Sequence, residues 1–205
     1  MSVLFAFSGP RGSKKEAIFH EAKRLHREYH PEQPLAFVEA LNKMPHPQDW
    51  SPEHRALHPT SRLSLRFAEF NEAGIRVIRP AIEAGKIVVS LRYGLDVFLD
   101  ALADTDCPQA RKETFELWHR QLVPARVIRG TPKPVYLIAQ RLRPTEGNVE
   151  AFYSRQERDV LEYFDDTGQN PPIFLQGDTV EECAEEALEH ILNLTRRSQN
   201  QSVRA

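Results

Sequence analysis

The sequence predicts a three-layer α/β/α domain built on a parallel β-sheet. Short apolar segments alternate along the chain with longer segments whose apolar residues have helical spacing. Strands that are joined through helices pair in parallel, with right-handed crossovers, and helices cover both faces of their sheet. With 205 residues, 40% of them hydrophobic, the chain fits one such domain over residues 1–195, followed by a polar tail at 196–205 that we expect to be disordered.

Five short apolar segments are the expected strands, because buried parallel strands are nearly continuous apolar runs. They are Val3 to Phe7, Leu35 to Val38, Ile87 to Val89, Val135 to Ala139 and Ile173 to Leu175. An amphipathic segment from Lys14 to Tyr29 separates the first two, so this part of the chain is a β-α-β unit.

Capping residues and breakers delimit the middle helices. A proline-rich loop over residues 42–59 precedes a long helix, which we expect to begin at Thr60 or Ser61 and to end at Gly85. Gly74 and Pro80 inside it predict a kink. Further helices are expected at residues 95–102, 111–122 and 149–164.

The last helix has the clearest start. Thr179 and Glu182 have the spacing of a capping box, in which each side chain bonds the backbone N–H of the other residue. An apolar stripe that runs from Val180 to Leu192 follows, so this helix should pack one face on the core.

A glycine turn follows the first strand, where a phosphate-binding loop would lie. Residues 9–16 are G-P-R-G-S-K-K-E, whereas an intact phosphate-binding loop has the motif G-x-x-x-x-G-K-[ST]. In the intact loop the glycines let backbone amides wrap the phosphates, the lysine neutralises their charge, and the hydroxyl holds magnesium. Lys15 is in the lysine register, whereas Lys14 replaces the second glycine and Glu16 replaces the hydroxyl. A carboxylate at position 16 either repels a polyphosphate or binds the metal itself. A basic strand-to-helix turn with an exposed face and no ligand is the alternative.

The candidate phosphate-binding residues of this turn are Gly9, Arg11, Gly12, Ser13, Lys14 and Glu16, with Lys15 as the candidate catalytic cation.

Residues 78–93, I-R-P-A-I-E-A-G-K-I-V-V-S-L-R-Y, resemble the thymidylate kinase family, which typically shows I-x-P-A-L-x-x-G, an apolar strand and then D-R-Y. Together with the glycine turn near residue 9, the order and spacing of elements match over nearly the whole chain. The resemblance implies a P-loop nucleoside monophosphate kinase architecture with ATP and Mg²⁺ as cofactors. It also implies a homodimer that packs through residues 63–82.

The resemblance assigns roles to residues at the ends of two strands. In D-R-Y the aspartate supports magnesium and the arginine grips phosphates; this chain keeps Arg92 and Tyr93 but has Leu91 in place of the aspartate. After the second strand the family often has R-E-P, and here only Glu39 remains. Arg92 is therefore implied as catalytic, and Glu39 and Tyr93 as substrate-binding.

Two more parts of the family site are matched incompletely. Phe67 takes the place of a base-stacking phenylalanine, but Phe70 or Asn71 stands where the family has a phosphate-binding arginine. In the arginine-rich lid region after the fourth strand, Arg141 and Arg143 are the candidates.

Phosphoryl transfer relies on positioning and on electrostatic stabilisation, so these departures matter. Loss of one well-placed donor typically costs roughly 100- to 1,000-fold in rate, and several parts of the apparatus are altered. Two functions stay open. One is a thymidylate kinase-like protein with a degraded site that binds a nucleotide, a phosphate ligand or a protein partner. The other is an active, divergent kinase that transfers the ATP γ-phosphate to a (deoxy)nucleoside monophosphate such as dTMP, with Glu16 or Glu39 replacing the lost metal support.

Composition argues against several other classes. The net charge of −2 gives no bulk attraction for nucleic acid or anionic membranes. No apolar run approaches the ~18 residues of a membrane span, and the N-terminus lacks a charged region of the signal-peptide kind, so we expect a cytoplasmic protein. The two cysteines lack C-x-x-C spacing, and His26 and His30 have no third ligand nearby, so no metal site is predicted.

Overall fold

The computed structural model describes residues 3–10, 13–39, 51–102, 107–118, 132–139, 158–161, 163–164 and 171–202. Its described strands form one five-stranded parallel sheet in the order β2-β3-β1-β4-β5. The strands are β1 (Leu4–Ser8), β2 (Leu35–Val38), β3 (Ile87–Leu91), β4 (Val135–Ala139) and β5 (Ile173–Leu175). All of the predicted strands are confirmed, and β1 lies at the centre of the sheet.

The described helices flank this sheet. They are α1 (Lys15–Tyr29), α2 (Pro52–Ala56), α3 (Pro59–Ala73), α4 (Arg79–Glu83), α5 (Gly94–Leu102), α6 (Pro108–Leu117) and α7 (Val180–Ser202). A π-helical segment, Gly74–Ile78, joins α3 to α4. None of the helices in the described ranges is long and apolar enough to cross a membrane.

The start of α3 differs from the prediction. The N-cap is His58, whose Nδ1 accepts a hydrogen bond from the Thr60 N–H, so neither Thr60 nor Ser61 is the cap. Pro59 occupies the first helical turn, where its fixed φ suits the helix and its missing N–H leaves nothing unsatisfied. The short helix α2 lies within the segment that the sequence analysis takes as an irregular loop.

The predicted end of the long helix is confirmed, and the helix changes its geometry in the region where a kink is predicted. The helix changes to π geometry from Gly74 and returns to α geometry before Pro80, because proline cannot donate a backbone hydrogen bond to the preceding turn. Gly85 ends it with φ 75°, and the Lys86 N–H bonds back to the Ala81 carbonyl at 3.1 Å.

The capping box of α7 is confirmed, but the boundary after it is not. Glu182 N–H donates to Thr179 Oγ1 at 3.1 Å, and Thr179 N–H donates to Glu182 Oε2 at 3.2 Å. The helix then continues to Ser202, beyond the boundary at residue 195 that the sequence analysis expects. The buried Thr195, whose hydroxyl donates to the Ile191 carbonyl, anchors the turn before this polar extension.

Alternate residues of β1 face two separate cores. Leu4 and Ala6 belong to the core beneath α3 and α5, whereas Phe5 and Phe7 belong to the core beneath α1 and α7. Because both sheet faces are covered, the inner strands β1 and β3 are buried along their whole length, as expected of a parallel sheet. The fold is therefore the expected three-layer α/β/α arrangement.

The topology of the sheet places a crevice between β1 and β3. The chain leaves β1 into α1 on one face and leaves β3 into α5 on the opposite face. The two strands end side by side, with Phe7 paired to Leu91 and the Arg92 N–H donating to the Phe7 carbonyl at 2.9 Å. In open α/β sheets ligands bind at such a switch point, outside the carboxyl ends of the strands.

Candidate functional site

In the turn after β1, the described residues Gly9 and Lys14 both have positive φ. Gly9 has φ 151°, and a Cβ at this residue would lie 2.6 Å from the Ala139 carbonyl oxygen and 2.9 Å from Ser13 Oγ. Lys14 has φ 55°, the left-handed conformation that glycine adopts without strain. The lysine that replaces the second motif glycine therefore has a glycine-like backbone, at a conformational cost of roughly 1–2 kcal/mol.

Lys15 is held inside the crevice by two oxygen atoms. Its Nζ donates to the Gly9 carbonyl at 2.7 Å and lies 3.0 Å from Asp96 Oδ1. The residue is only 8% exposed. The cation in the phosphate-loop lysine register is thus at the carboxyl end of β1, as the motif predicts, but it already has a carboxylate partner.

Asp96 is part of this crevice, and the sequence analysis missed it. It lies in the first turn of α5, and its Oδ2 accepts hydrogen bonds from Ser8 Oγ at 2.5 Å and from the Tyr93 N–H at 3.0 Å. The available signal was an acidic residue in the first turn of the helix that follows Arg92, since carboxylates are favoured there.

Arg92 lies at the end of β3 and pairs with Glu16. Its Nη2 donates to Glu16 Oε1 at 2.8 Å, and its backbone has φ 64°. Burial opposes ionisation of both groups. The ion pair nevertheless lowers the pKa of Glu16, to which the charge of Lys15 also contributes. It raises the pKa of Arg92, to which the charges of Asp96 and Asp100 contribute. Glu16 is therefore a partner of Arg92.

Asp100 and Arg66 complete the charged cluster, and neither was predicted. Asp100 lies one helical turn after Asp96, and burial raises its pKa although Arg92, Lys15 and Arg66 act in the opposite direction. Arg66 of α3 is 2% exposed, and burial lowers its pKa while the carboxylates of Asp100 and Glu69 oppose this.

The described crevice thus combines three cationic side chains, Lys15, Arg66 and Arg92, with three acidic ones, Glu16, Asp96 and Asp100. Such a cluster attracts an anion less strongly than three cations alone would.

Glu39 has its partners elsewhere. Its carboxylate pairs with Lys23, and His20 Nδ1 lies 4.0 Å away, both on α1. The Lys23 hydrogen bond is the main reason that the pKa of Glu39 is lowered. The partners of Glu39 thus differ from those of Lys15, which are Gly9 and Asp96.

Phe67 and Tyr93 pack in the core beneath α3 and α5. The Phe67 ring contacts Trp118 edge-on, with centroids 6.3 Å apart, and its exposure is 7%. Tyr93 is 2% exposed and lies edge-to-face on Phe70 at 4.8 Å. Core packing accounts for both aromatic residues without a ligand.

Ser13 is 1% exposed, and its hydroxyl has no hydrogen-bond partner within the described ranges. Arg11, Gly12, Arg141 and Arg143 lie outside the described residues.

Comparison with known proteins supports the fold. No protein-family model matches the chain, and no curated protein matches it. Among solved structures, it matches the crystal structure of thymidylate kinase from Ehrlichia chaffeensis with a TM-score of 0.57 and 17% identity, over 93% of this chain and 98% of that chain. The chain has a thymidylate kinase-like fold. At this identity the likeness defines the architecture, and a function must be argued from the crevice itself.

Proposed function

We propose that this thymidylate kinase-like P-loop protein binds a nucleotide or another phosphate ligand in the crevice between β1 and β3, with weak or absent kinase activity. The observation that carries the proposal is the convergence of Lys15 and Arg92 on shared acidic neighbours at the carboxyl ends of adjacent strands. The N-terminus of α1 lies at the same place, and helix N-termini favour phosphate groups.

The weak activity follows from what occupies the crevice. Leu91 stands where the family has its magnesium-supporting aspartate, and its side chain is fully buried in the core beneath α1 and α7. Glu16 stands in the place of the magnesium-binding hydroxyl and is engaged by Arg92. The phosphate-loop motif and the D-R-Y motif are thus both degenerate. The cations that remain, Lys15 and Arg92, already have the carboxylates of Asp96 and Glu16 as partners, so they would stabilise a transferring phosphoryl group less.

A second candidate is an active kinase that transfers the ATP γ-phosphate to a nucleoside monophosphate such as dTMP. Asp96 favours it, because this residue brings a carboxylate to within 3.0 Å of Lys15 despite the leucine at position 91. Within the described ranges no three His, Cys, Asp or Glu side chains are placed so that they could hold a metal ion together, so Mg²⁺ would have to arrive with the nucleotide phosphates. Bound there, it would supply charge neutralisation to the transferring phosphoryl group.

The setting that we propose is a cytoplasmic homodimer without affinity for membranes or nucleic acid. Exposed apolar side chains within residues 63–82 support self-association through that region; Leu65, Ile75 and Val77 are 47%, 43% and 40% exposed.

Calorimetric titration with ATP and with dTMP, each with and without Mg²⁺, tests the proposal. A product assay for ADP on the same samples separates the two candidates. Micromolar binding with negligible ADP formation is the expected result, whereas rapid dTMP-dependent ADP formation would favour the active kinase. Absence of binding for both ligands would contradict both.

Lys15→Ala is the variant that locates the site. Loss of a charged hydrogen bond should weaken ATP binding ~10- to 150-fold. Lys23→Ala is the matched control, because Lys23 lies on the same helix but pairs with Glu39. Equal effects of the two substitutions would place any ATP site elsewhere, and a melting curve for each variant checks that both remain folded.

A further inference from the structure

Asp96 depends on Lys15 in a way that constrains which ligands can bind. The carboxylate is 4% exposed, and both of its hydrogen bonds, from Ser8 and from the Tyr93 N–H, reach Oδ2. Its other oxygen, Oδ1, is buried and has no hydrogen-bond partner in the described part of the chain, apart from the ion-pair contact with Lys15. One oxygen atom of a buried carboxylate thus has Lys15 Nζ as its close counter-charge.

A phosphate group that engages Lys15 must draw Nζ away from Asp96. The two Oδ2 hydrogen bonds hold the carboxylate at the start of α5, so it cannot follow the lysine. Arg92 lies close enough to interact electrostatically with Asp96, but its Nη2 donates to Glu16, and no hydrogen bond joins it to the Asp96 carboxylate within the described ranges. Removal of one partner from a buried ion pair is strongly unfavourable, because a buried charge is left uncompensated.

A cation that enters with the phosphate removes this difficulty. Mg²⁺ prefers oxygen ligands and is commonly held by only one or two carboxylates together with ligand phosphates. A carboxylate with one saturated and one available oxygen fits that mode of binding, either directly or through a metal-bound water.

This inference rests on the proposed function. We propose that Asp96 makes phosphate binding at Lys15 conditional on a divalent cation, so that the crevice accepts a magnesium–polyphosphate complex and rejects the uncomplexed polyphosphate. Asp96 is then a specificity-determining residue, although it lies five positions beyond Leu91, where the family motif has its acid.

Asp96→Asn tests this directly, because the amide keeps the shape of the side chain and an oxygen acceptor for Ser8 and Tyr93 but removes the charge. ATP is titrated into the wild-type protein and the variant, with Mg²⁺ or with a chelator. We expect chelation to weaken wild-type binding at least ~100-fold, which is the effect of an uncompensated buried charge. In Asp96→Asn the same treatment should change the affinity less than ~10-fold.

Asp159→Asn is the matched control. Asp159 is also 4% exposed and pairs with a cation, Arg111, but it is not among the partners of Lys15 or Arg92. This control should keep the Mg²⁺ dependence of the wild type. Melting curves confirm the folding of each variant, and the wild-type comparison stands by itself if Asp96→Asn does not fold.

The outcomes separate the inference from the proposed function. Wild-type protein that binds ATP equally well with and without Mg²⁺ overturns the role of Asp96 and leaves phosphate binding intact. ATP binding by Asp96→Asn alone, with none by the wild type, also overturns it, because the cation then fails to compensate the carboxylate. Absence of binding by both proteins under both conditions overturns the proposed function and the inference together.

Discussion

Gly9→Ala should destabilise the protein far more than the same change at Gly85. Both glycines have positive φ, 151° and 75°, but only Gly9 is crowded. A Cβ at Gly9 would lie 2.6 Å from the carbonyl oxygen of Ala139 in β4, and this oxygen cannot move without disturbing the sheet. No atom lies within 4 Å of the position that a Cβ at Gly85 would take. Strain from the backbone conformation costs roughly 1–3 kcal/mol, and the overlap costs about as much again.

The expected costs are therefore about 4 kcal/mol for Gly9→Ala and about 1 kcal/mol for Gly85→Ala. In a domain of this size, 1 kcal/mol shifts the melting temperature by roughly 2–4 °C. Thermal unfolding followed by circular dichroism should show a fall of ~8–16 °C for the first variant and ~2–4 °C for the second. Equal falls would refute the close approach of the turn to β4.

Two further predictions concern single side chains of the crevice and its surroundings. Glu16→Gln should make the stability of the protein depend less on pH in acid. The folded-state pKa of Glu16 lies below its ordinary value of 4.5, so the ionised carboxylate stabilises the protein above that pH. This contribution is lost as the pH falls through the folded-state pKa. Melting temperatures between pH 7 and pH 3 test this, and parallel curves for the two proteins would contradict it. Phe67→Ala should lower stability by roughly 3 kcal/mol because the ring packs on Trp118; unchanged stability with weakened dTMP binding would instead assign it to the substrate.

The sheet and most helices are predictable from sequence because their signals are local. Buried strands such as Val135–Ala139 are apolar runs, and the start of α7 has a complete capping box. The start of α3 was misplaced because His58 is a less usual cap than Thr60, and the choice depended on Pro59. The extension of α7 to Ser202 was missed because a polar segment gives no amphipathic signal.

The candidate site was predictable only in part. Lys15 follows from a motif register, and Arg92 follows from the family resemblance. Asp96 lies on α5 and Arg66 on α3, and only the folded chain brings Asp96 to Lys15 and Arg66 near Arg92. Contacts between residues so distant in sequence depend on the packing of α3 and α5 against the sheet, which no short motif encodes.

A crystal structure of the protein with ADP and Mg²⁺ tests the central claim most directly. The account predicts phosphate density at the N-terminus of α1, between β1 and β3, with Lys15 Nζ moved from Asp96 Oδ1 to a phosphate oxygen. Nucleotide bound at another surface, or a crevice in which Lys15 keeps its 3.0 Å contact with Asp96 while the nucleotide is bound, would contradict it.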